Sequence, residues 1–207
     1  AIMKYEYDDW GNISTLKFYS ASGKYTMNSR MYSKITNECD AWGNIVKEQF
    51  YDQNEKLCYN SDNAAQRIIE YDKKGFPLSI SILDANGKPW VGKEDYSKVY
   101  IKCDNRGNQI ENNYEGISGK PCTNADGYAS ITVEYDRWGH PTHQAIYSID
   151  GYLTHYQDGT SGWNAVYDDV GNTTQVSYFG ADWNVCSNNK GVASWEAEYN
   201  DRGDLIS

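Results

Sequence analysis

The sequence has no run approaching the roughly 18 apolar residues that a membrane-spanning helix needs, and no secretory leader is visible at its start. Basic residues are outnumbered, with 19 Lys and Arg against 29 Asp and Glu and a formal net charge of −10. Phosphate binding needs a basic surface, so the charge argues against nucleic acid as a partner. The charge suits a soluble, self-repelling surface instead. No Cys-x-x-Cys pair occurs, which argues against structural zinc. No dense Asp-x-Asp-x-Asp loop occurs either, so acidic turns such as Asn124 with Asp126, or Asp150 with Asp158, are read as capped turns and not calcium sites. Proline (4), phenylalanine (4) and methionine (3) are scarce, an unusual composition for a globular enzyme. What fills the space is tyrosine (19) and glycine (18), which suits short strands whose faces are half wet.

The abundant residues are not scattered. Tyr71-Asp72-Lys73-Lys74-Gly75 has counterparts beginning at Tyr7, Cys39, Cys103, Tyr135, Tyr167 and Tyr199, at a spacing of 32 residues throughout. Fixed self-similarity at this period marks a repeat array, whose stability is a sum over units and neighbours. The full repeats are 7–38, 39–70, 71–102, 103–134, 135–166 and 167–198, with partial repeats 1–6 and 199–207. Both ends fall inside a repeat and no polar cap is seen, so we expect a fragment of a longer chain with neighbouring domains.

Counting from the Tyr or Cys as position 1, position 2 is Asp in six copies and Asn200 in the seventh, and position 5 is always Gly. Asp-x-x-Gly predicts a type I turn closed by a left-handed residue, the three-residue hairpin loop with a bulge. A strand is predicted over positions 6 to 13, as in Ile13–Tyr19, Ile45–Tyr51 and Leu78–Leu83, with a large residue at position 12. A second turn follows at positions 14 to 17, clearest in Asp84-Ala85-Asn86-Gly87. Positions 18 to 25 hold a further turn, best seen as Asn124-Ala125-Asp126-Gly127, and otherwise fit either a short strand or a loop. The last strand is predicted from position 26 to the next position 1, as in Tyr128–Tyr135, with one face packed and one solvated. The expected fold is therefore all-β, a tandem β-hairpin array forming an antiparallel meander, wound or stacked to manage its edges. A three-sided parallel β-solenoid is the alternative, because 32 residues also suffice for one coil.

Tyr7-Asp8-Asp9-Trp10-Gly11-Asn12 and Tyr167-Asp168-Asp169-Val170-Gly171-Asn172 resemble the YD repeats of bacterial RHS-type proteins. With Asp84-Ala85-Asn86-Gly87-Lys88-Pro89 and Gly127-Tyr128-Ala129, the pattern is also similar to a 32-residue repeat of bacterial surface and secreted proteins. The RHS repeat is shorter and usually carries Arg after the Gly, where this chain has Asn12, Asn44, Asn108 and Asn172. The resemblance implies a β-structured shell or spacer, an extracellular or cell-surface location in a bacterium, and no catalytic residue.

Two sets of residues are candidate sites. Trp10, Trp42 and Trp138 share position 4, inside the first turn, where they could stack on sugar rings or pack against a neighbouring repeat. Trp163 and Trp195 at position 29 read as core. Five cysteines fall at two repeat positions, which suggests either the bridges Cys39–Cys58 and Cys103–Cys122 or small buried residues in a core slot. His140, His143 and His155 lie in one repeat without a nucleophile beside them, and read as surface residues. An active site needs one unique constellation, whereas every distinctive residue here recurs. The expectation is a non-enzymatic spacer or adhesion module without metal or cofactor, meeting protein or glycan at a cell surface. A carbohydrate- or cell-wall-binding module built on the turn tryptophans is the alternative.

Overall fold

The computed structural model describes residues 2–207. The strands are β1 (Ile2–Tyr7), β2 (Ile13–Tyr19), β3 (Lys34–Cys39), β4 (Ile45–Tyr51), β5 (Gln66–Tyr71), β6 (Pro77–Leu83) and β7 (Lys98–Cys103). They continue as β8 (Gln109–Glu115), β9 (Ser130–Tyr135), β10 (Pro141–Tyr147), β11 (Gly162–Tyr167), β12 (Thr173–Phe179) and β13 (Ser194–Glu196). The 13 strands follow one another in sequence order in one sheet. Every described ladder is antiparallel, which sets the parallel solenoid aside. The chain divides into two compact units, residues up to 100 together with 114–120, and residues 101–113 together with 121–207.

The hairpin loop is built as its residue types dictate. In the first repeat the Gly11 amide donates to the Asp8 carbonyl at 3.1 Å and the Asp8 amide to the Asn12 carbonyl at 2.9 Å. One carboxylate oxygen of Asp8 accepts from the amides of Trp10 and Asn12, and the other from the Asn12 side chain at 2.9 Å. The same clasp joins Asp40 to Asn44, Asp104 to Asn108 and Asp168 to Asn172. His140 takes the asparagine's place in the fifth repeat, its Nδ1 lying 3.0 Å from Asp136 Oδ2. Beyond each such loop the register slips by one residue. Glu6 pairs with Thr15 and Tyr7 with Ile13, so Ser14 is the bulge.

Positions 18 to 25, left open between strand and loop, contain a single bridge and then a third turn. Position 19 bridges position 13, as in Leu57 with Tyr51. Asn60 then repeats the clasp with a carboxamide, accepting from the amides of Asp62 and Ala64 at 3.0 Å each. This third turn shortens the last strand, which begins at position 28 instead of 26. In the first unit these turns also bond to one another, Ser61 amide to Arg30 carbonyl and Lys93 amide to Asp62 carbonyl, both at 2.9 Å.

Position 27, always Ser or Ala, stitches neighbouring repeats. The carbonyl of Ala65 accepts from Phe50 while its amide donates to Leu83, each at 3.1 Å. Ser33, Ala65 and Ser161 are wholly buried, so this slot has no room for a larger side chain. Over it lies the core of the first unit, where Tyr32, Ile35, Phe50, Ala64 and Ile82 pack with Leu16, Phe18 and Tyr96. Tyr32 meets Phe18 edge-on and Phe50 at a tilt, with centroids 5.6 and 5.1 Å away. The position-1 tyrosines tie hairpins together. Tyr71 donates to the Ile45 carbonyl at 3.1 Å, and within the second unit Tyr167 donates to the Pro141 carbonyl at 2.8 Å.

The first-turn glycines have φ between 82 and 95°, further from ordinary L-residue space than the non-glycine residues in the later turns, at 57 to 67°. A methyl group on Gly139 would meet nothing within 4 Å, so Gly139→Ala isolates the backbone cost. It is expected to destabilise by about 1–2 kcal/mol, read as a lower urea midpoint, whereas Met31→Gly should not lower it. The turn carboxylates supply a second test. Hydrogen bonds from the side chains of Asn12, Asn44 and Asn172 hold Asp8, Asp40 and Asp168 below the ordinary value of 3.8. The folded chain then binds these protons less readily than the unfolded chain, so the stabilisation is present above that value and is lost as pH falls through the folded-state values. Melting temperature should hold from neutral pH to about pH 5 and fall below about pH 4; a rise on acidification would contradict the clasp.

Candidate functional site

The first turn exposes its fourth residue because both flanking backbone groups are tied to the aspartate. Trp10 and Trp42 donate their amides to Asp8 and Asp40 at 3.0 and 2.9 Å, and their side chains are 85% and 83% exposed. They stand on successive turns of the first unit, about 10 Å apart at two strand spacings. Trp42 also borders a small cleft of about 130 Å³ against the next turn, opposite Lys74 and Gly75. Trp138, in the second unit, is 63% exposed and carries the Arg137 guanidinium 4.5 Å above its ring. Beside it Arg106, the same turn position one repeat earlier, donates to the carbonyls of Asp136 and Arg137 at 2.7 and 2.6 Å. Position 4 is therefore a solvent position, and at Arg106 it reaches the following turn.

A second aromatic surface lies wholly in the second unit. Trp163 on β11 sits directly across from Tyr178 on β12 and from Gln144 on β10. Trp195 on β13 is paired with Val176. Gln144 donates its side-chain amide to the Tyr156 hydroxyl at 2.8 Å, and Tyr156, Trp163 and Tyr178 wall an open groove of about 470 Å³. Asp126 and Asp158 stand on its rim. Asp158 Oδ1 accepts from the Thr160 amide at 3.0 Å and hydroxyl at 2.8 Å, which fixes its direction. Burial pushes the Tyr156 phenol well above its ordinary value, so it is neutral at every physiological pH. A shallower groove of about 260 Å³ shares Trp163 and Tyr178 and runs on to Trp195.

This surface is where the sequence reading of position 29 departs from the structure. Ile35 and Val99 at that position are buried, but Trp163 and Trp195 are only half-buried and present one side to solvent. An indole is too large for the slot that Ile or Val fills. Its signal in the sequence is the replacement itself, with Ile35, Arg67, Val99 and Ile131 giving way to Trp in the last two full repeats.

Two of the three histidines are engaged in stacking. His140 lies on the Tyr167 ring at 4.8 Å, and His143 on the Phe179 ring at 5.3 Å with Trp183 beyond it. His143 Nδ1 also lies 2.7 Å from Asn164 Oδ1, and His155 Nδ1 lies 3.0 Å from the Gly159 carbonyl. They are not brought to one site.

The structure does not join Cys39 to Cys58. The Cys58 amide donates to the Phe50 carbonyl and Phe50 pairs with Ile35, four residues along β3 from Cys39. That places the two cysteines about 13 Å apart along the strand, beyond the reach of a disulfide, whose Cα atoms lie within about 7 Å. Both are free thiols, with Cys58 Sγ 3.7 Å from the Met31 carbonyl. Cys103 ends β7 and Cys122 follows the turn closed by Gly119, both half-buried. Burial raises the thiols of Cys39, Cys58 and Cys186 above their ordinary value.

No family model matches the chain, and no curated protein sequence matches it. Among solved structures it is similar to the TcdB2-TccC3 chain of a crystal structure, with 11% identity and a TM-score of 0.37 over 98% of this chain and 14% of that one. It is also similar to a chain of the Tc holotoxin pore of Photorhabdus luminescens carrying a TccC3 mutation, with 13% identity and a TM-score of 0.34 over 98% of this chain and 12% of that one. The chain thus spans about one seventh of the length of these neighbours. At such identity and TM-score they define neither a family nor a function for it.

Alkylation without reductant, followed by peptide mass analysis, should label Cys39 and Cys58 as free thiols, slowly at pH 7 and faster above pH 9 as the thiolate forms. Recovery of a Cys39–Cys58 cross-linked peptide from the native protein would overturn the register that separates them.

Proposed function

We propose that the chain is a non-enzymatic structural and interaction module, a spacer or adhesion segment of a longer bacterial surface or secreted protein. One observation carries this reading: the carboxylates that recur are consumed by their own turns. In the Asp–Asn loops both oxygens already accept from the turn's amides and carboxamide. A carboxylate so occupied is held ionised and has most of its acceptor sites filled by its own turn, which suits a rivet better than a general acid or base. Stitching between adjacent repeats through position 27 makes the units interchangeable in principle, which is what a spacer of adjustable length requires.

A second reading has its own support in the exposure of Trp10 and Trp42. Two bare indoles on successive turns form a platform on which a glycan of a cell wall could stack.

Deleting residues 71–102, one whole repeat, tests the spacer. The shortened chain should stay soluble, keep its β-sheet circular dichroism per residue and melt cooperatively; aggregation or loss of the sheet signal would sink the reading. For the platform, the chain and a Trp10→Ala, Trp42→Ala, Trp138→Ala triple variant are compared on immobilised cell-wall polysaccharides. Retention lost in the variant with unchanged melting supports the platform, and retention that survives the triple change removes it.

A further inference from the structure

The aromatic groove of the second unit is not explained by the spacer reading and does not depend on the turn tryptophans. We propose that it binds a neutral oligosaccharide, with sugar rings laid on Trp163 and Tyr178 and hydroxyls met by the polar rim.

The argument starts from what the groove offers. At about 470 Å³ it falls within the size of small-ligand sites. Its walls are large, half-buried aromatic faces, and an aromatic face covers the apolar C–H face of a sugar ring while leaving the ring's hydroxyls pointing outward. Those hydroxyls both donate and accept, and the rim answers in both senses. Asp126 and Asp158 accept, while the carboxamide of Gln157 can do either. Asp158 is already oriented by two bonds from Thr160, and Tyr156 by its bond from Gln144, so little side-chain freedom is lost on binding.

Charge selects among ligands. No Lys or Arg lines the groove and two carboxylates stand on it, within a chain of net charge −10, so an anionic sugar or a phosphate is repelled. A compact cation would suit the carboxylates and an aromatic wall, but it would leave the rest uncovered. The aromatic floor continues past Trp163 and Tyr178 into the second groove, whose lining toward Val176 and Trp195 contains no charged residue. From Trp163 to Trp195 is two strand steps across and two residues along, about 12 Å, a run suited to an extended neutral chain more than to a single charged group.

The test is titration of the purified chain with neutral oligomers of glucose, mannose and N-acetylglucosamine, with a uronic-acid oligomer, a glucosamine oligomer and a trimethylammonium compound alongside, followed by tryptophan fluorescence and calorimetry. At least one neutral oligomer should bind, and Trp163→Ala should weaken it roughly tenfold, the value of one stacked aromatic contact. Gln157→Ala, an exposed change that leaves the sheet intact, should weaken it severalfold. Trp10→Ala and Trp42→Ala should leave it unaltered, which separates this site from the turn platform. The proposal is overturned if no neutral oligomer binds at millimolar concentration, or if Trp163→Ala and Gln157→Ala both retain full affinity. It is equally overturned if the turn variants abolish binding, or if the glucosamine oligomer or the trimethylammonium compound binds more tightly than every neutral sugar.

Discussion

The structure depends on closing a hairpin in five residues, again and again, without losing register. A type I turn alone splays its strands, and a left-handed residue after it restores their twist. Here that residue has φ near 90°, and the aspartate carboxylate binds the loop from inside through the amides two and four residues on. Neither part suffices. The glycine permits the geometry, and the carboxylate selects it from the many that glycine permits. Each loop also slips the register by one residue, so the bulge is repeated with the turn and every hairpin meets the next in the same phase.

From that phase the neighbouring contacts follow. A fixed register delivers Tyr71, Tyr135 and Tyr167, all at position 1, to a carbonyl of the previous hairpin, 26 residues back in sequence. It also delivers the same small residue to the point where three strands meet. Position 27 is held to Ser or Ala because its backbone serves two repeats at once and its side chain is buried, as at Ser33, Ala65 and Ser161. A longer side chain there would push apart the ladder that the turns align. Turn chemistry thus sets packing, and packing in turn allows the solvent face to vary freely. On that face pairs such as Lys17 with Glu6 and Lys47 with Glu38 add little each.

Much of this was legible in the sequence for a physical reason. Positive φ and carboxylate capping restrict residue type strongly, so Asp and Gly at fixed spacing announce the first turn, and the large residue at position 12 announces the packed face. The third turn was legible at Asn124-Ala125-Asp126-Gly127 and harder to read in the repeats that lack the glycine. There Asn60 or Asn124 does the work of Asp, and the left-handed position accepts Met31, Asn63 or Asp95 as well as Gly127, because φ near 60° is tolerable to an L-residue. Weak restriction leaves a weak signal. The Cys39–Cys58 pairing misled for the opposite reason. Co-occurrence at two repeat positions looks like pairing, but Cys39 lies at the loop end of its hairpin and Cys58 near the far end, a distance that only the register reveals. The exposed turn tryptophans could be placed from sequence, since a residue inside so short a loop has nowhere else to go. The aromatic groove could not, because it joins residues from four different segments.

That groove also shows how a periodic scaffold acquires one particular place. Position 28 holds Lys34, Gln66 and Lys98 in the first unit and Ser130 and Ser194 in the second, but glycine at Gly162. A Cβ on Gly162 would fall 2.0 Å from the Gln144 carbonyl and 2.4 Å from the Phe179 ring. The glycine therefore lets Phe179 sink against the sheet, where it is 3% exposed and stacks with His143 and Trp183. The next residue breaks the pattern in the other direction. Trp163 occupies the slot of Ile35 and Val99 and stands half out of it beside Tyr178. Adjacent residues of one strand point to opposite faces, so a deletion of bulk on one side and an addition on the other occur together. One face is packed more closely and the other is opened into a groove. An array whose recurring residues are all committed to turns and ladders can gain a recognition surface only through such departures, and in this chain they gather in one stretch of the second unit.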